Sequence, residues 1–319
     1  MNQYRIYVTD GRHASYDIER EMLSAIGGEL KICHCETDAD IAAQCADADG
    51  ILSDMAPMTA RAVAALKKCK VISRYGVGYD NVDVAACIEQ GIQVANVPDY
   101  CAEDVSDHAL ALLFACLRDV PRRDRLIRQG QWNIQRMSFR LSGKVLGVLG
   151  FGRIAKALVR KCAGFHFSKI LVYDPYVSER DCIELGARKV ALDDVLRESD
   201  IISLHMPVTA ETVHMIDGRA LALMKPTTIF INTSRGRLVD DASLVKALER
   251  HQILCAGLDT HNLEPLPLDS PYLCLDNVVL TDHTAYNTEE AVEELKRKCA
   301  QNVINVLTGL SPAYPVSVI

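Results

Sequence analysis

The stretch that most constrains the fold of this chain covers residues 145–174. It opens with a short apolar run, Val145–Leu149, which is typical of a buried strand. A glycine turn, Gly150–Gly152, leads into apolar residues at helical spacing, and a second apolar run, Ile170–Tyr173, ends at Asp174. The order strand, glycine turn, helix, strand and acid predicts a βαβ unit.

The same order is the one that a dinucleotide site requires. Gly150 permits a sharp turn, and Gly152 lets a pyrophosphate approach the N–H groups at the start of the helix. Ala155 takes the place of the usual third glycine, where only a small residue is needed. The Asp174 carboxylate can accept from a ribose 2′-OH and would repel a 2′-phosphate, so we predict NAD rather than NADP as the cofactor. The alternative is an ordinary strand–helix turn that uses glycine for geometry alone.

Length and charge limit the possible partners. With 319 residues the chain is long enough for two domains. A formal net charge of −7 disfavours nucleic acid and anionic membranes, because both attract basic surfaces. We find no signal peptide and no apolar run of membrane-spanning length, so we expect no membrane partner and a cytoplasmic location.

The twelve cysteines are scattered, with no CxxC pair and no cysteine–histidine cluster at zinc spacing. We therefore expect reduced, structural thiols, no metal site and no cysteine nucleophile.

The first hundred residues alternate between strand and helix patterns, which predicts a parallel sheet with crossover helices. This part has no GxGxxG turn, so it is predicted to be α/β without being the dinucleotide half. Strands are expected over residues 4–9, 30–33, 50–53 and 71–73, and helices over residues 17–26, 38–45 and 59–67.

Two glycines lie just beyond the last of these strands, in the sequence RYGVGYDNVD of residues 74–83. Gly76 and Gly78 flank Val77, and consecutive backbone N–H groups in such a loop can form an anion-binding nest for a small carboxylate. A simple β–α turn explains the glycines equally well.

The alternation continues after a predicted interdomain crossing at residues 95–101. A helix is expected over residues 102–117, followed by a basic, loosely helical arm over residues 118–132. The last helix is expected to begin with the capping-box pattern of Asn287–Glu290 and to end at Gly309. Between the arm and this helix we expect helices over residues 183–187, 192–197, 218–224 and 241–250, and strands over residues 200–205, 228–232, 254–259 and 277–281.

Three strands beyond the glycine turn end in polar residues, Arg235, Asp259 and His283, and Glu264 follows closely. The carboxyl ends of parallel strands share one edge, where a nicotinamide would lie. Hydride reduction of a 2-keto acid needs a cation for the carboxylate, a proton donor for the carbonyl oxygen and a carboxylate that orients the donor. Arg235, His283 and Glu264 suit these roles in that order. Taken singly, each also has an ordinary explanation as a surface, turn or salt-bridge residue.

The other histidines are interpreted as structural or surface residues. His205 could contact the cofactor, although a structural role explains it as well. His108 lies near the apolar face of its helix and is interpreted as a packed side chain, and no role is predicted for His261.

Several motifs, in order along nearly the whole chain, resemble the D-isomer-specific 2-hydroxyacid dehydrogenase family. NVPDYC and HTAYNTEEA are closest to the branch near the C-terminal-binding-protein corepressors, their bacterial dehydrogenase relatives and the glycerate and phosphoglycerate dehydrogenases. The matching motifs are GVGYDNVD (76–83), GVLGFGRIAKAL (147–158), VYDP (172–175), LHMPVTAET (204–212), NTSRGRLVD (232–240), GLDTHNLEPLP (257–267) and LTDHTAYNTEEA (280–291).

The resemblance implies the α/β fold class, with two Rossmann-like or flavodoxin-like, doubly wound parallel-sheet domains and a cleft between them. A discontinuous substrate-binding domain, residues 1–99 plus 288–319, would accompany an NAD-binding domain, residues 100–287. Members of the family are usually dimers joined through the nucleotide domain, so we expect a homodimer to which the arm near residues 118–135 contributes.

The resemblance also assigns roles to individual residues. The catalytic residues are Arg235, Glu264 and His283. The expected cofactor contacts are Val77, Gly150, Gly152, Arg153, Ile154, Asp174, Met206, Thr233, Ser234, Arg235, Asp259 and His283. The expected substrate contacts are Tyr75, Gly76, Val77, Gly78 and Arg235.

Two departures from the family pattern lie beside these residues. Asp282 stands where proline usually precedes the histidine, and residues 261–263 replace a commoner aromatic or acidic run. Glu264 argues against the formate dehydrogenase branch, which uses glutamine as the partner of the histidine.

The resulting prediction is an NAD-dependent D-2-hydroxyacid dehydrogenase or 2-keto acid reductase, an oxidoreductase whose partner is a small acid. One alternative is an NAD(H)-responsive, corepressor-like binding protein on the same fold. Another is a reductase for a sulfonated or phosphorylated hydroxy acid, with Arg74 reaching the extra anion.

Overall fold

A computed structural model of the chain describes residues 3–132 and 138–317. The chain divides into two compact units. The first consists of Met1–Tyr100 and Thr288–Ile319, and the second of Cys101–Asn287.

Strands and helices alternate along both units. In chain order the strands are β1 (Tyr4–Val8), β2 (Gly28–Ile32), β3 (Gly50–Ser53), β4 (Val71–Arg74), β5 (Gln93–Ala95), β6 (Val145–Leu149), β7 (Lys169–Tyr173), β8 (Arg188–Lys189), β9 (Ile201–Leu204), β10 (Ile229–Asn232), β11 (Cys255–Leu258), β12 (Val278–Leu280) and β13 (Pro315–Val316). The α-helices are α1 (Asp17–Ser24), α2 (Asp38–Gln44), α3 (Ala60–Ala65), α4 (Val84–Glu89), α5 (Ala102–Arg118), α6 (Val120–Arg128), α7 (Arg153–Lys161), α8 (Glu179–Ile183), α9 (Leu192–Glu198), α10 (Gly218–Leu223), α11 (Asp241–Glu249) and α12 (Glu289–Leu307).

The sheet of the first unit has the strand order β13-β5-β4-β3-β1-β2. Strands β1 to β5 pair in parallel, and the short β13 at the edge runs antiparallel to β5. The order of the first five strands is that of flavodoxin-like folds, in which the winding reverses between β1 and β3. In such folds ligands bind beyond the carboxyl ends of the strands at this switch point.

The sheet of the second unit has the order β12-β11-β10-β9-β6-β7-β8, and all of its strand pairs are parallel. This is the Rossmann order with one added strand, and its switch point lies between β6 and β9. Strand β6 leads directly into the glycine turn. The predicted fold class, two doubly wound α/β units with parallel sheets, is confirmed.

Helices cover both faces of the second sheet. Phe230 of β10 packs in one apolar cluster, whereas its neighbours Ile229 and Ile231 pack in another with residues of α5 and α7. Successive strand residues face opposite sides of a sheet, so the two clusters lie on opposite faces. Burial on both faces is the reason that the strand sequences of this unit are continuously apolar rather than alternating.

Two sequence predictions about helix ends are wrong. The helix expected over residues 183–187 is α8, which ends at Ile183, because Ser178 starts it with a capping box and Gly186 turns the chain with φ +70°. The last helix is capped by Thr288, whose hydroxyl accepts from the Ala291 N–H, and not by Asn287. Since alanine stands at the third helical position, no carboxylate returns the bond that a capping box needs.

The buried side-chain amide of Asn302 connects helix α12 to the rest of the first unit through hydrogen bonds. Asn302 is fully buried and donates to the Ser73 hydroxyl at 3.3 Å and to the Asn96 carbonyl at 3.1 Å. Its own oxygen accepts from the Ala313 N–H at 3.0 Å. This side chain therefore links the C-terminal helix to β4, to the segment after β5 and to the chain that leads into β13.

Replacing Asn302 with leucine should destabilise the first unit by about 2 kcal/mol, because the substitution removes three hydrogen bonds and leaves the buried Asn96 carbonyl without the amide that donates to it. The measurement is urea unfolding followed by circular dichroism. Gln301→Leu, at the exposed neighbouring position of the same helix, should leave the unfolding midpoint unchanged. Equal midpoints for the two variants would contradict this account of Asn302.

Candidate active site

The glycine turn after β6 has the geometry that a bound pyrophosphate needs. Gly150 has φ +86°, and a Cβ there would lie 2.6 Å from the His205 carbonyl oxygen, so this position requires glycine. A Cβ built on Gly152 would meet nothing within 4 Å. Gly152 is the N-cap of α7, whose first N–H groups have no acceptor within the helix. The space above Gly152 therefore opens onto backbone donors.

Asp174 is tied to this turn. Its carboxylate accepts from the Phe151 N–H at 2.7 Å and from the N–H groups of Tyr176 and Val177 at 2.8 and 3.3 Å. The second strand of the βαβ unit thus places its terminal acid against the first, and the half-buried carboxylate stands at the edge of the glycine turn.

Polar groups of the loop after β10 lie at the carboxyl edge of the second unit's sheet, beside the loop after β9. The Ser234 hydroxyl donates to the Met206 carbonyl at 3.0 Å, which joins the loops after β9 and β10. The hydroxyl of Thr233 is buried and has no hydrogen-bond partner among residues 3–132 and 138–317. A buried hydroxyl without a partner is unfavourable, and a bound ligand could supply one. The open space at Gly152, the Asp174 carboxylate and the Thr233 hydroxyl together suit a bound dinucleotide.

His283 and Glu264 form a hydrogen-bonded pair. The Nδ1 of His283 donates to Glu264 Oε2 at 2.7 Å, and the two side chains are 32% and 26% exposed. Burial disfavours the Glu264 carboxylate, but the bonds from His283 and from the His261 N–H hold its pKa below the usual range. Glu264 is therefore ionised near neutral pH, and it orients the ring so that Nε2 is the nitrogen left for another partner.

Asp259 holds the backbone that carries His283. It is fully buried, its carboxylate accepts from the N–H groups of Thr284 and Ala285 at 3.0 and 3.1 Å, and its carbonyl accepts from the His283 N–H at 2.8 Å. His283 has a left-handed backbone, with φ +58°. These bonds keep the histidine in a conformation that side-chain-bearing residues rarely adopt.

Two residues that sequence reasoning missed complete this support. The Thr281 hydroxyl donates its proton to Asp259 Oδ1 at 2.7 Å. Because that proton is used, the Thr281 oxygen accepts from His108 Nε2–H at 3.0 Å. The same histidine nitrogen lies 3.4 Å from Asp259 Oδ1. Burial disfavours the Asp259 charge, yet the bonds from His108, Thr281 and the backbone lower its pKa to about 2. The available signal was a polar residue, His108, within the apolar spacing of Val105 and Leu112.

The Arg235 turn packs against the loop that carries Glu264. A Cβ on Gly236 would collide with the backbone of His261 and Asn262, so glycine is needed for the two loops to meet. The Asn232 amide donates to the Arg235 carbonyl at 2.9 Å, which fixes the half-buried arginine just past β10. The structure thus brings the loops of all three predicted catalytic residues to one edge of the second unit.

His261 and Asp282 have simple structural contacts. His261 Nε2–H donates to the Thr281 carbonyl at 2.8 Å, which joins the loop after β11 to the loop after β12. The exposed Asp282 carboxylate accepts from the Thr284 hydroxyl at 3.0 Å. His205 is half-buried and hydrogen-bonded to the Ser203 hydroxyl at 2.8 Å, and the desolvation of its ring lowers its pKa to about 4.

The first unit carries a separate backbone feature at residues 76–78, which we call the nest. Gly76 has φ +137°, and the carbonyls of Gly76 and Val77 accept from the Val97 N–H at 2.9 Å and the Asn96 amide at 2.7 Å. The N–H groups of Val77 and Gly78 donate to no acceptor within the described part of the chain. Two adjacent unpaired donors on a fixed loop suit a small anion.

Tyr75, an expected substrate contact, has its side chain in the interior of the first unit. It is 2% exposed, and its hydroxyl donates to the buried Glu19 at 2.8 Å. Burial and the nearby Cys299 and Glu19 raise the pKa of Tyr75 well above its usual value. This placement leaves the backbone of Tyr75 as the part next to the nest.

Comparison with known proteins identifies relatives over most of the chain. The family described as "D-isomer specific 2-hydroxyacid dehydrogenase, NAD binding domain" matches residues 110–285. A glyoxylate reductase of Korarchaeum cryptofilum is 40% identical over 83% of this chain and 82% of its own length. A D-3-phosphoglycerate dehydrogenase of Archaeoglobus fulgidus is 35% identical over 82% of this chain, which spans only 49% of that relative.

A solved structure has the same fold. The D-lactate dehydrogenase of Aquifex aeolicus, complexed with NAD and lactic acid, superposes with a TM-score of 0.85 at 28% identity, over 95% of this chain and 96% of the other. The comparisons confirm the family resemblance, NAD as the cofactor and the assignment to the oxidoreductases. In the part of the chain that the structure describes, no helix is long and apolar enough to cross a membrane.

Gly152→Val should weaken NADH binding by about tenfold or more without changing the melting temperature of the unliganded protein, because the added side chain fills only the space where the pyrophosphate would lie. NADH fluorescence titration and thermal unfolding measure the two effects. Gly150→Val is the matched control and should unfold at a lower temperature. NADH affinity equal to wild type in Gly152→Val would contradict this placement of the cofactor.

Asp259→Asn should lower stability near pH 7 by about 2 kcal/mol, because a carboxyl with a depressed pKa stabilises the folded state above its unfolded pKa. This contribution is lost as the pH falls through about 4 towards 2, so the difference between wild type and variant should roughly halve by pH 3. Urea unfolding at pH 7 and pH 3 measures it, with the exposed Asp269→Asn as the control. A difference that does not depend on pH would rule out an ionised, bonded Asp259.

Proposed function

Since the chain belongs to the D-isomer-specific 2-hydroxyacid dehydrogenase family, we propose that it is an NAD-dependent D-2-hydroxyacid dehydrogenase that reduces a small 2-keto acid. The observation that carries this proposal is the His283–Glu264 pair, with a 2.7 Å hydrogen bond at the edge of the NAD-binding sheet. An ionised carboxylate behind a histidine is the arrangement that a proton donor to a carbonyl oxygen needs.

The proposed chemistry divides between cofactor and protein. When bound, NADH supplies the hydride that reduces C2 of the keto acid. His283 Nε2 gives its proton to the carbonyl oxygen, and Glu264 stabilises the ring in the required orientation through Nδ1. In the oxidative direction the same nitrogen accepts the proton of the hydroxyl group.

The substrate carboxylate is assigned to two kinds of donor. The Arg235 guanidinium can bind a carboxylate through two parallel hydrogen bonds. In the first unit, the unpaired N–H groups of Val77 and Gly78, with the backbone of Tyr75 and Gly76 beside them, offer a site for the same kind of group.

We assign substrate binding to residues 1–99 plus 288–319 and NAD binding to residues 100–287. The proposed cofactor contacts are Val77, Gly150, Gly152, Arg153, Ile154, Asp174, Met206, Thr233, Ser234, Arg235, Asp259 and His283.

A homodimer and a cytoplasmic location remain predictions. Helix α6 and the residues after it expose apolar side chains, with Val120 at 54%, Ile127 at 44% and Trp132 at 77%. Apolar surface of this kind supports a role of the arm in pairing two subunits. Residues 133–135 of the expected arm lie outside the described residues.

NADH oxidation against glyoxylate, hydroxypyruvate, pyruvate and phenylpyruvate tests the function. His283→Ala should lower kcat by about 100-fold or more, because the carbonyl oxygen loses its proton donor. Glu264→Gln, which keeps the shape but removes the charge, should lower kcat by at least about tenfold. Both variants should bind NADH, as measured by fluorescence titration.

The exposed His34→Ala is the control and should keep wild-type turnover. Tight NADH binding by the wild type without turnover of any acid would favour the alternative of an NAD(H)-responsive binding protein. Turnover retained in His283→Ala would remove that residue from the mechanism.

A further inference from the structure

The first unit gathers two arginines and two aspartates where its strands end. Asp10 and Arg12 follow β1, Asp54 follows β3, and Arg74 is the last residue of β4. Strands β1 and β3 flank the switch point of the sheet, where ligands of this fold class bind, and β4 lies beside β3. None of the four side chains has a part in the proton transfer described above.

Arg74 lies directly against the nest. A Cβ built on Gly76 would overlap its guanidinium group, and Nη1 donates to the Tyr75 carbonyl at 2.5 Å. The side chain is 13% exposed, and its buried Nε has no hydrogen-bond partner in the described structure. An arginine held this way next to the proposed carboxylate site would, if unopposed, attract a second anionic group on the substrate.

Asp54 opposes that charge. Its Oδ1 lies 3.8 Å from Arg74 Nη2, its Oδ2 lies 3.9 Å from Arg12 Nε, and its side chain is 15% exposed. At this distance and burial the carboxylate cancels much of the field of one arginine. With Asp10 and Arg12 the cluster holds two positive and two negative charges. The neighbouring His13 adds none near pH 7, because burial and Lys296 lower its pKa to about 4.

The loop that carries Asp54 is fixed from two sides. The Asp10 carboxylate accepts from the N–H groups of Asp54, Met55 and Ala56 at 3.0, 2.6 and 3.0 Å. The Asn81 amide donates to the carbonyls of Asp54 and Ala56 at 3.0 and 2.8 Å. These bonds fix the backbone from which the Asp54 side chain reaches Arg74.

We propose that Asp54 determines substrate specificity by neutralising the charge of Arg74. The subsite beside the nest then prefers a 2-keto acid whose C3 substituent is uncharged. A phosphate or sulfonate placed there would be attracted by Arg74 but repelled by Asp54, whose carboxylate lies 3.8 Å from the same guanidinium. This inference rests on the proposed function. Of the activities named for the relatives, it favours that of the glyoxylate reductases over that of the D-3-phosphoglycerate dehydrogenases, and it reverses the sequence-based alternative in which Arg74 reaches an extra anion.

The test compares two substrates that differ by one phosphate group, hydroxypyruvate and 3-phosphohydroxypyruvate. The quantity measured is the ratio of kcat/KM for the phosphorylated acid to that for the unphosphorylated acid, with NADH. The wild type should have a ratio below one. Asp54→Asn should raise the ratio by about tenfold or more, because Arg74 loses its counter-charge. Arg74→Gln should lower it, and the double variant should return towards the wild-type value.

Asp38→Asn is the matched control, since it removes a carboxylate from another Asp–Arg pair of the same unit, 3.9 Å from Arg61. Its ratio should equal that of the wild type. Where hydroxypyruvate is turned over slowly, the inhibition constants of D-glycerate and D-3-phosphoglycerate against a better substrate give the same comparison.

Three outcomes would overturn the role of Asp54: a wild-type ratio above one, an unchanged ratio in folded Asp54→Asn, or, where that variant does not fold, a ratio that fails to fall in Arg74→Gln. Failure of the proposed function looks different, because the wild type would then turn over none of the unphosphorylated acids.

Discussion

The hydrogen bonds of Asp259 are the interactions on which the geometry of the candidate active site depends. One buried carboxylate and the carbonyl of the same residue bind the hydroxyl of Thr281 and the N–H groups of residues 283–285. The left-handed backbone of His283 costs roughly 1–2 kcal/mol for a residue with a Cβ, and these bonds offset that cost. Without them the loop after β12 would have no reason to hold the ring where Nδ1 reaches Glu264. Asp259 and Glu264 are thus both carboxylates with lowered pKa values, but the first holds backbone and the second holds a side chain.

The two units have a similar glycine turn at the carboxyl end of a strand, and the two turns suit different anions. Each places a glycine with positive φ at the carboxyl end of a strand, Gly76 after β4 and Gly150 after β6. The second turn runs straight into α7, a helix of nine residues whose first N–H groups and dipole favour the charged pyrophosphate. The first turn runs into a loop before the six-residue α4. It therefore offers two backbone donors without a strong helix field, which suits a single carboxylate better than a pyrophosphate.

Structural features that depend on a short stretch of sequence could be predicted, and features that depend on contacts between distant residues could not. The apolar run of β3 was predicted with its correct bounds, residues 50–53, and the glycine turn predicted the βαβ unit because strand, turn and helix are adjacent in the chain. The helix expected over residues 183–187 was misplaced because apolar spacing outweighed the capping residue Ser178. The pairing of His108 with Asp259 was missed because it joins residues far apart in sequence. The same is true of the buried Tyr75, which follows β4 but donates its hydroxyl to Glu19 of α1.

For the same reason, the type of reaction can be predicted from the sequence more easily than the substrate. The residues proposed for the reaction, Glu264 and His283, lie in motifs whose chemistry can be inferred from one loop at a time. The charge of the proposed substrate subsite can be inferred only from a pair of residues, because the sheet register sets Ser53 opposite Arg74 and so brings the next residue, Asp54, to the guanidinium. Taken alone, Arg74 indicates a site for a second anionic group. Taken together with Asp54, which the register places beside it, Arg74 indicates a site for an uncharged substituent. The motifs along nearly the whole chain therefore predict the reaction at C2 of the substrate. The preferred substituent at C3 depends on which side chains the ends of β3 and β4 bring together.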